Sequence, residues 1–435
     1  MRDPAERGTV RVGVLGCGNV GAALIRLVHD HADIITARAG RKVEVSRVAV
    51  RDLTKGRDVP LGADAFSDDP DSVVTAADVD IVVEVMGGVD PAKDLITRAL
   101  TSGKPVISAN KELLANFGKE LVEVAETAGV DLLFEAAVAG GIPLIRPLRE
   151  SLAGERITRV LGIVNGTTNY ILTRMTEDGW SFDDALAEAQ RLGFAEADPT
   201  ADVEGYDAAS KAAIIASIAF GAHVTQADVH REGIAKIIRE DVVAAGDLGY
   251  VVKLLAIAET VDGSVSVRVH PAFVPKAHPL AAVRESFNAV FIEGQAVGEL
   301  MLYGPGAGGG PTASAVLGDL IDAARNLASG GPGAKVGHFE ERPMVPLDEV
   351  KSQYYVHLEV DDEPGVLATI AGLFGDHGVS ILSVQQRGRG EEAELVFVTH
   401  IARTGDVMAT IEAVTESGVV RRVGSVLRVI GEEHR

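Results

Sequence analysis

The sequence predicts an α/β chain of several domains, and three observations support this fold class. First, a strand pattern, a glycine-rich turn and a helix pattern follow one another between residues 10 and 28. Second, strand and helix patterns keep alternating to about residue 134, which predicts a Rossmann-type, doubly wound parallel sheet. Third, residues 351–435 show the order βαββαβ, which is typical of a ferredoxin-like domain. Helices and strands mix in the region between, which indicates an α+β domain.

The first elements follow directly from the pattern of apolar residues. Val10–Leu15 alternates like a strand and runs into Gly16-Cys-Gly18-Asn-Val-Gly21, after which Ala22–Val28 has a helical pattern. The same reasoning predicts further strands at Val43–Val50, Ile81–Val85, Pro105–Ser108 and Val130–Phe134, and helices at Pro91–Ser102 and Glu112–Ala128.

Beyond residue 139 the two periodicities mix, and glycine and proline punctuate the chain. Gly304–Pro311 interrupts the pattern, while Ser329–Gly333 and Pro343–Pro346 mark a linker. The predicted domains are 1–139 (completed by about 305–330), 140–304, a linker at 331–350, and 351–435. Predicted helices are Ser181–Leu192, Asp207–Phe220, Asp247–Thr260, Thr312–Leu327, Gly365–His377 and Gly405–Ser417. Predicted strands are Val160–Val164, Ser264–Pro271, Ala289–Glu293, Tyr354–Val360, Ser380–Gln386, Glu394–His400 and Val419–Val429.

Composition excludes several classes of protein. Of the 435 residues, 46% are hydrophobic and 24% charged, as in ordinary soluble globular proteins. The 41 Lys and Arg against 63 Asp and Glu give a charge of −22, which argues against binding to nucleic acid or to an anionic membrane surface. Cys17 is the single cysteine, so no intrachain disulfide is possible and a cytoplasmic location is expected. Met1–Arg7 does not have the apolar stretch of a signal peptide, and no apolar run approaches the ~20 residues of a membrane helix.

The glycine turn is predicted to bind a dinucleotide. The first glycine of Gly-x-Gly-x-x-Gly permits the tight turn, the second lets the pyrophosphate approach the backbone, and the third lets the helix pack on the strand. The N–H groups at the helix start then bind the phosphates. The alternative is a turn that serves packing only. The predicted cofactor contacts here are Gly16, Gly18, Asn19, Val20 and Gly21.

The end of the second strand bears on the choice of cofactor. An NAD enzyme usually has Asp or Glu there to bind the ribose hydroxyls, whereas an arginine accommodates a 2′-phosphate. Here Arg51 follows the strand, Asp52 comes next, and Lys55 and Arg57 are close in sequence. This favours NADP and leaves NAD possible, with a solvated loop charge as the alternative for Arg51.

Residues 196–211 carry the strongest chemical pattern in the chain, several carboxylates followed by a lysine. Asp207 and Lys211 are four residues apart and therefore share one face of a helix, and an apolar run follows Lys211. A lysine at the start of a buried helix is costly unless it is paired. An ordinary structural ion pair is the alternative to a catalytic one.

Four further segments make a family resemblance specific: Val83–Gly88, Ser108–Leu114, Glu135–Pro143 and Asn165–Asn169. Together with residues 196–211, and in this order, they resemble homoserine dehydrogenases over roughly residues 9–330. The tail, with Asp361-Asp-Glu-Pro-Gly-Val-Leu367, resembles an ACT domain. The whole chain resembles the long, monofunctional bacterial form of this family. The resemblance implies nucleotide binding for the domain 1–139, substrate binding and dimerisation for 140–304, and a regulatory ACT domain at 351–435.

The resemblance implies reversible reduction of L-aspartate 4-semialdehyde to L-homoserine by NAD(P)H, within threonine, methionine and isoleucine biosynthesis. The cofactor supplies the hydride, and an ammonium group stabilises the growing alkoxide and gives it a proton. By resemblance Lys211 is the proton donor and Lys111 the second lysine near the nicotinamide, although which of the two donates stays open. Glu196, Asp207 and Asp202 would bind the substrate and its α-ammonium group. Surface charges are the alternative for Lys111 and Glu196.

A monovalent cation, Na⁺, is also implied by the resemblance. Its ligands would be the side chain of Glu135 and the backbone carbonyls of Val138, Gly140 and Ile142. Ligation by oxygen alone suits such a hard cation. Further cofactor contacts implied by the resemblance are Gly87, Lys111, Gly193 and Gly308.

The ACT resemblance implies an amino-acid effector, L-threonine, bound between paired domains of a homodimer or homotetramer, and pure oligomerisation is the alternative. Two other functions compete. Aspartate-semialdehyde dehydrogenase requires a catalytic cysteine well after the glycine turn, whereas Cys17 lies inside that turn. A non-catalytic amino-acid sensor on a nucleotide-binding core has no need of Lys111, Glu196, Asp207 and Lys211 together.

Overall fold

The computed structural model describes residues 8–337, 339–389 and 392–431. The segment 1–7 and the last four residues of the predicted final domain lie outside the described residues. The α-helices are α1 (Asn19–Asp30), α2 (Ala32–Ala39), α3 (Pro70–Val74), α4 (Ala92–Thr101), α5 (Lys111–Ala128), α6 (Gly166–Glu177), α7 (Phe182–Arg191), α8 (Thr200–Val203), α9 (Tyr206–Phe220), α10 (Arg239–Asp247), α11 (Gly309–Ser329), α12 (Val366–Asp376) and α13 (Thr404–Glu416). The strands are β1 (Thr9–Leu15), β2 (Lys42–Ala49), β3 (Phe66–Ser67), β4 (Ile81–Glu84), β5 (Val106–Ser108), β6 (Leu132–Leu133), β7 (Ile157–Ile163), β8 (His230–Arg231), β9 (Tyr250–Val261), β10 (Ser264–Pro275), β11 (Phe287–Gly294), β12 (Gly298–Pro305), β13 (Lys351–Asp361), β14 (Ile381–Arg389), β15 (Glu392–Thr399), β16 (Ala402–Arg403) and β17 (Val420–Val429).

The described chain divides into two compact units. The first comprises the residues up to Gly166 together with Asp207–Val229 and Phe287–Arg342. The second comprises Thr167–Tyr206, His230–Ser286 and the described residues from Pro343 onward. The domain limits deduced from the sequence stay a prediction.

A six-stranded parallel sheet in the order β3-β2-β1-β4-β5-β6 forms the centre of the first unit. Leu24 of α1 and Leu320 of α11 belong to the same buried core as Val12 and Val14 of β1. The strand order runs outwards in opposite directions from β1 and β4, so the carboxyl end of β1 is a topological switch point, where α/β sheets bind nucleotides. The predicted doubly wound sheet is confirmed.

The rest of the first unit combines a short antiparallel sheet with a buried helix. β7, β11 and β12 pair in the order β12-β11-β7. Strand β12 was missed by the sequence analysis, which treated the chain from Gly304 as an interruption; the strand is partly exposed and therefore shows no clean apolar alternation. Helix α9 is buried from Asp207 to Ala216, as its apolar run predicts.

One predicted helix is wrong. Asp247–Thr260 was expected to be helical, but α10 ends at Asp247 and Tyr250–Val261 is the strand β9. Its leucines and alanines favour a helix, and the strand is buried through most of its length, so it lacks the alternation that marks a half-exposed strand. The missed signal is Asp262-Gly263, whose φ angles of 49° and 84° close a two-residue hairpin onto β10.

The C-terminal part of the second unit confirms the predicted βαββαβ order. Its strands pair as β17-β13-β15-β14, and buried Tyr354, Phe374 and Phe397 belong to its own core. Strand β17 also pairs in parallel with β10, and Arg428 of β17 forms an ion pair of 2.7 Å with Glu232. This domain therefore adds to the β9-β10 hairpin within the same unit.

Lys253 lies on the wrongly predicted segment and is almost fully buried, with 4% of its surface exposed. Its ammonium group donates to the side-chain oxygen of Asn169 at 3.0 Å and to the carbonyl of Val283. Burial lowers the pKa of Lys253 to about 8.

Stability should therefore depend on pH through Lys253. In the unfolded chain a lysine has a pKa of about 10.4, so between pH ~8 and ~10 unfolding takes up a proton and the native state gains stability as the pH rises. In Lys253→Met this gain is absent. The free energy of unfolding of the wild type, minus that of the variant, should grow by on the order of 2 kcal/mol across this window in urea titrations.

The exposed Lys236→Met, in the same unit, is the matched control for the loss of one positive charge. The lowered pKa of Lys253 would be contradicted if the difference in free energy of unfolding between wild type and Lys253→Met stayed constant from pH 8 to pH 10.

Candidate active site

The glycine turn lies at the carboxyl end of β1. Gly16 has a φ of 101°, which side chains rarely adopt, and a Cβ at Gly21 would collide with the carbonyl of Gly16. Gly18 is the N-cap of α1, and Asn19 and Val20 are its first residues. The turn thus points the unpaired N–H groups of a helix start at the switch point of the sheet, as a pyrophosphate requires.

The loop after β2 presents positive charge. Arg51 is exposed, and the Asp52 carboxylate accepts hydrogen bonds from the backbone N–H (2.8 Å) and hydroxyl (2.6 Å) of Thr54. These bonds lower the pKa of Asp52. The Arg57 guanidinium donates to the carbonyls of Asp52 and Lys55. One Asp52 oxygen is therefore engaged within its own loop.

The segment after β4 lies next to the glycine turn in the sheet and is hydrogen-bonded to the start of α5. Buried Glu84 accepts hydrogen bonds from the N–H groups of Met86 (2.7 Å) and Gly87 (3.1 Å) and from the Ser108 hydroxyl (2.7 Å). Asn110 caps α5 through the N–H of Leu113 and donates to the carbonyl of Gly88. The sequence analysis named Gly87 but missed the supporting roles of Glu84, Ser108 and Asn110, whose only signal was their place inside the family segments.

Lys111, the first residue of α5, and Lys211 of α9 share the carboxylate of Asp207. Lys111 binds its Oδ1, and Lys211 binds its Oδ2 at 2.7 Å. Lys211 also donates to the carbonyl of Val164 at 2.7 Å, and the Asn165 amide donates to Oδ2 at 2.9 Å. The structure thus brings together three of the residues singled out from the sequence, and adds Val164 and Asn165.

The environment of Asp207 fixes its charge. Burial alone would raise the pKa of the carboxyl, but Lys211 and Lys111 outweigh burial and hold it far below its usual range. The side chains of Asp207 and Lys211 are buried, whereas that of Lys111 is 44% exposed. The Lys111 side chain is therefore partly exposed although its ammonium group is bound to a buried carboxylate.

Glu196, Asp202 and Gly193 lie in the second unit. Gly193, with a φ of 78°, follows the end of α7, and Glu196 is exposed in the next loop. That loop is held to α6 by a hydrogen bond of 2.6 Å from the Thr167 hydroxyl to the carbonyl of Phe194. Asp202 is half-buried on α8.

The turn to which the resemblance assigns a cation is buried from Glu135 to Gly140. Ala139 and Gly140 both adopt a left-handed conformation, with φ of 56° and 54°. The Glu135 carboxylate accepts hydrogen bonds from the N–H groups of Leu144, Ile145 and Arg146. An ionised carboxylate has about four acceptor positions, so these bonds leave room for a further partner.

The atoms that this turn could offer to a ligand are carboxylate and backbone carbonyl oxygens, which suit a hard monovalent cation. Within the described ranges, no group of three or more His, Cys, Asp or Glu side chains is placed to hold a metal ion.

Gly308, the N-cap of α11 with a φ of 114°, precedes Gly309, where a Cβ would lie 2.9 Å from the carbonyl of Asn19. The start of α11 therefore contacts the glycine turn. Across the same described residues, no helix has the length and apolar character needed to span a membrane.

Known families cover most of the chain. "Homoserine dehydrogenase, NAD binding domain" matches residues 16–135, "Homoserine dehydrogenase" matches residues 143–321, and "ACT domain" matches residues 354–418. The homoserine dehydrogenase of Mycobacterium tuberculosis (strain ATCC 25618 / H37Rv) is 49% identical over 439 residues, covering 98% of this chain and 99% of that protein. That of Corynebacterium glutamicum is 47% identical over 425 residues, covering 97% and 95%.

Solved structures agree. A homoserine dehydrogenase from Thiobacillus denitrificans has a TM-score of 0.91 at 40% identity and covers 97% of this chain and 98% of that one. A hyperthermophilic archaeal homoserine dehydrogenase in complex with NADPH has a TM-score of 0.60 at 30% identity, with 72% and 97% covered. Sequence, fold and relatives of full length agree, and the chain belongs to the homoserine dehydrogenase family, with an ACT domain at its C-terminal end.

Proposed function

We propose that this member of the family reduces L-aspartate 4-semialdehyde to L-homoserine, and catalyses the reverse reaction, with Lys211 and Lys111 at the reacting oxygen. The observation that supports this is the Asp207 carboxylate shared by the two lysines. A carboxylate between two amines favours their ammonium forms. Two adjacent ammonium groups suit an aldehyde oxygen that becomes an alkoxide during reduction.

The steps performed by the protein follow from these contacts. The bound nicotinamide supplies the hydride for the aldehyde carbon and accepts it in the reverse direction. Lys211, fixed by Asp207 and Val164, gives the oxygen its proton, while the more exposed Lys111 stabilises the negative charge. Glu196 and Asp202 supply negative charge for the α-ammonium group of the substrate.

Lys211→Ala should lower kcat by about 10²-fold or more, the range for loss of a general acid, whereas Lys111→Ala should also raise KM for homoserine. The measurement is homoserine-dependent reduction of NADP, followed by nicotinamide absorbance. Lys119→Ala, on the same helix as Lys111 and paired with Glu341, is the control. If Lys211→Ala turned over at the wild-type rate, Lys211 would have no role in the mechanism. If the wild-type protein showed no turnover, the alternative function, a non-catalytic amino-acid sensor, would be favoured.

For the cofactor we propose NADP, with NAD as the weaker alternative. Arg51 is exposed just after β2, where a 2′-phosphate would lie, and one oxygen of the neighbouring Asp52 is occupied by Thr54 and so is less available to a ribose hydroxyl. The archaeal relative was solved with NADPH, which supports the same choice.

Arg51→Ala should lower kcat/KM for NADP by about tenfold or more and change that for NAD much less, because the charged hydrogen bond serves only the 2′-phosphate. Arg47→Ala, on β2 and paired with Asp78, is the control for loss of one arginine. Steady-state kinetics with both cofactors provide the ratio. An unchanged ratio of kcat/KM for the two cofactors would exclude Arg51 as the discriminating residue.

Two further properties are proposed for the same chain. A sodium ion binds at the turn of Glu135, Val138, Gly140 and Ile142, supported by its buried oxygen donors. The ACT domain binds L-threonine as an effector in a cytoplasmic homodimer or homotetramer within threonine, methionine and isoleucine biosynthesis. The segment Asp361–Leu367, which runs from the end of β13 into the start of α12, supports the effector site.

L-Threonine should lower the initial rate, and Asp362→Ala in that turn should weaken this inhibition by about tenfold, as for loss of one charged hydrogen bond. Asp406→Ala, in the first turn of α13 of the same domain, is the control. Rates at several threonine concentrations, with light scattering for the oligomeric state, provide the test. Wild-type rates that do not respond to threonine would leave oligomerisation as the role of the domain.

A further inference from the structure

A single buried carboxylate holds both ends of the segment 135–146. Asp319, on α11, is 3% exposed. Its Oδ2 accepts a hydrogen bond of 2.8 Å from the N–H of Glu135, and its Oδ1 accepts one of 2.8 Å from Nη2 of Arg146. The first and last residues of the segment are therefore fixed to the same side chain of the same helix.

The segment is also closed from within. The Glu135 carboxylate accepts hydrogen bonds from the backbone N–H groups of Leu144, Ile145 and Arg146, so its start and end would stay close together even without α11. What Asp319 adds is attachment of this closed turn to α11, through both the backbone of Glu135 and the guanidinium of Arg146.

The middle of the segment is strained and needs such support. Ala139 has a φ of 56°, a conformation that costs an L-residue free energy and persists only when its surroundings fix it. At Gly140 a Cβ would collide with the carbonyl of Gly306, and the N–H of Gly141 donates to the carbonyl of Pro305 at 3.1 Å. Pro305 and Gly306, just before α11, thus pack against the middle of the turn, while Asp319 on α11 binds its first and last residues.

We propose that the Asp319–Arg146 pair is a clamp that positions the 135–146 turn, and so sets the affinity of the protein for a monovalent cation. This inference rests on the cation site proposed above. Neither residue of the clamp is assigned as a ligand: both act through the backbone of the turn. Residues 139–140 are left-handed, and this conformation sets the directions of the backbone carbonyls around them, which include the proposed ligands Val138, Gly140 and Ile142.

The test is the effect of sodium on thermal unfolding, without substrate or cofactor. Sodium chloride replaces choline chloride at constant ionic strength, because an ion that binds only the native state raises the unfolding midpoint. In Asp319→Asn the amide oxygen still accepts from Glu135, but the amide nitrogen faces the Arg146 donors and the pair is lost. The sodium concentration that gives half of the maximal rise in unfolding midpoint should be about tenfold higher in Asp319→Asn than in the wild type.

Asp322→Asn is the matched control. Asp322 lies about one turn further along α11 and contacts the same guanidinium, with 3.1 Å from Nε of Arg146 to its carboxylate, whereas the backbone N–H of Glu135 donates to Asp319 instead. In Asp322→Asn the sodium concentration that gives half of the rise in unfolding midpoint should stay within about twofold of the wild-type value. Arg146→Lys keeps the positive charge but not the forked geometry and should weaken sodium binding less than Asp319→Asn does.

The outcomes separate the clamp from the cation site. A wild-type protein whose unfolding does not respond to sodium would remove the proposed cation site, and the clamp with it. A response in the wild type that is unchanged in both Asp319→Asn and Arg146→Lys would overturn the clamp alone. Equal weakening in Asp322→Asn would also overturn it, because the effect would then follow charge on α11 rather than the Asp319 contacts. If Asp319→Asn does not fold, Arg146→Lys decides.

Discussion

The placement of two lysines around one buried carboxylate is the constraint on which the candidate active site depends. Asp207 and Lys211 are removed from water, and burying charges costs several kcal/mol per ion unless partners compensate. Compensation here is complete only with partners from three places: Lys111 at the start of α5, Lys211 on α9, and Asn165 after β7. A well-packed apolar cluster would be at least as stable. The arrangement is therefore better explained by chemistry than by stability.

This constraint explains why the family segments are spread along the chain. Three of them, Val83–Gly88, Ser108–Leu114 and Asn165–Asn169, help to position the charged cluster. Glu84 and Ser108 bind each other and lead to Asn110, whose cap defines where α5 begins and hence where Lys111 stands. Lys211 is held from the other side by the carbonyl of Val164. Polar residues outside the charged cluster thus determine the position of the two lysines proposed to act on the substrate.

The sequence predicted what depends on local periodicity and missed what depends on tertiary contacts. The Asp207–Lys211 pair follows from a spacing of four on a helix, so it was predicted and is present. The contact from Lys111 spans 96 residues, and no local pattern could reveal that it ends on the same carboxylate. The strand β9 was predicted as a helix because burial along most of its length removed its alternation, and only the Asp262-Gly263 hairpin could have corrected this.

Helix α11 links the remaining parts of the first unit. Its glycine-rich start contacts the carbonyl of Asn19 in the dinucleotide turn, the loop before it presses on Gly140, and Asp319 holds Glu135. The Arg146 guanidinium pairs with Asp319 and Asp322, while the nearby Glu135 carboxylate accepts hydrogen bonds from backbone N–H groups, so acidic groups are in excess around this arginine. Burial and the Glu135 carboxylate raise the pKa of Asp319 to about 7. A cation bound at the adjacent turn would offset that excess. Through α11, the dinucleotide turn and the 135–146 turn therefore share one supporting helix.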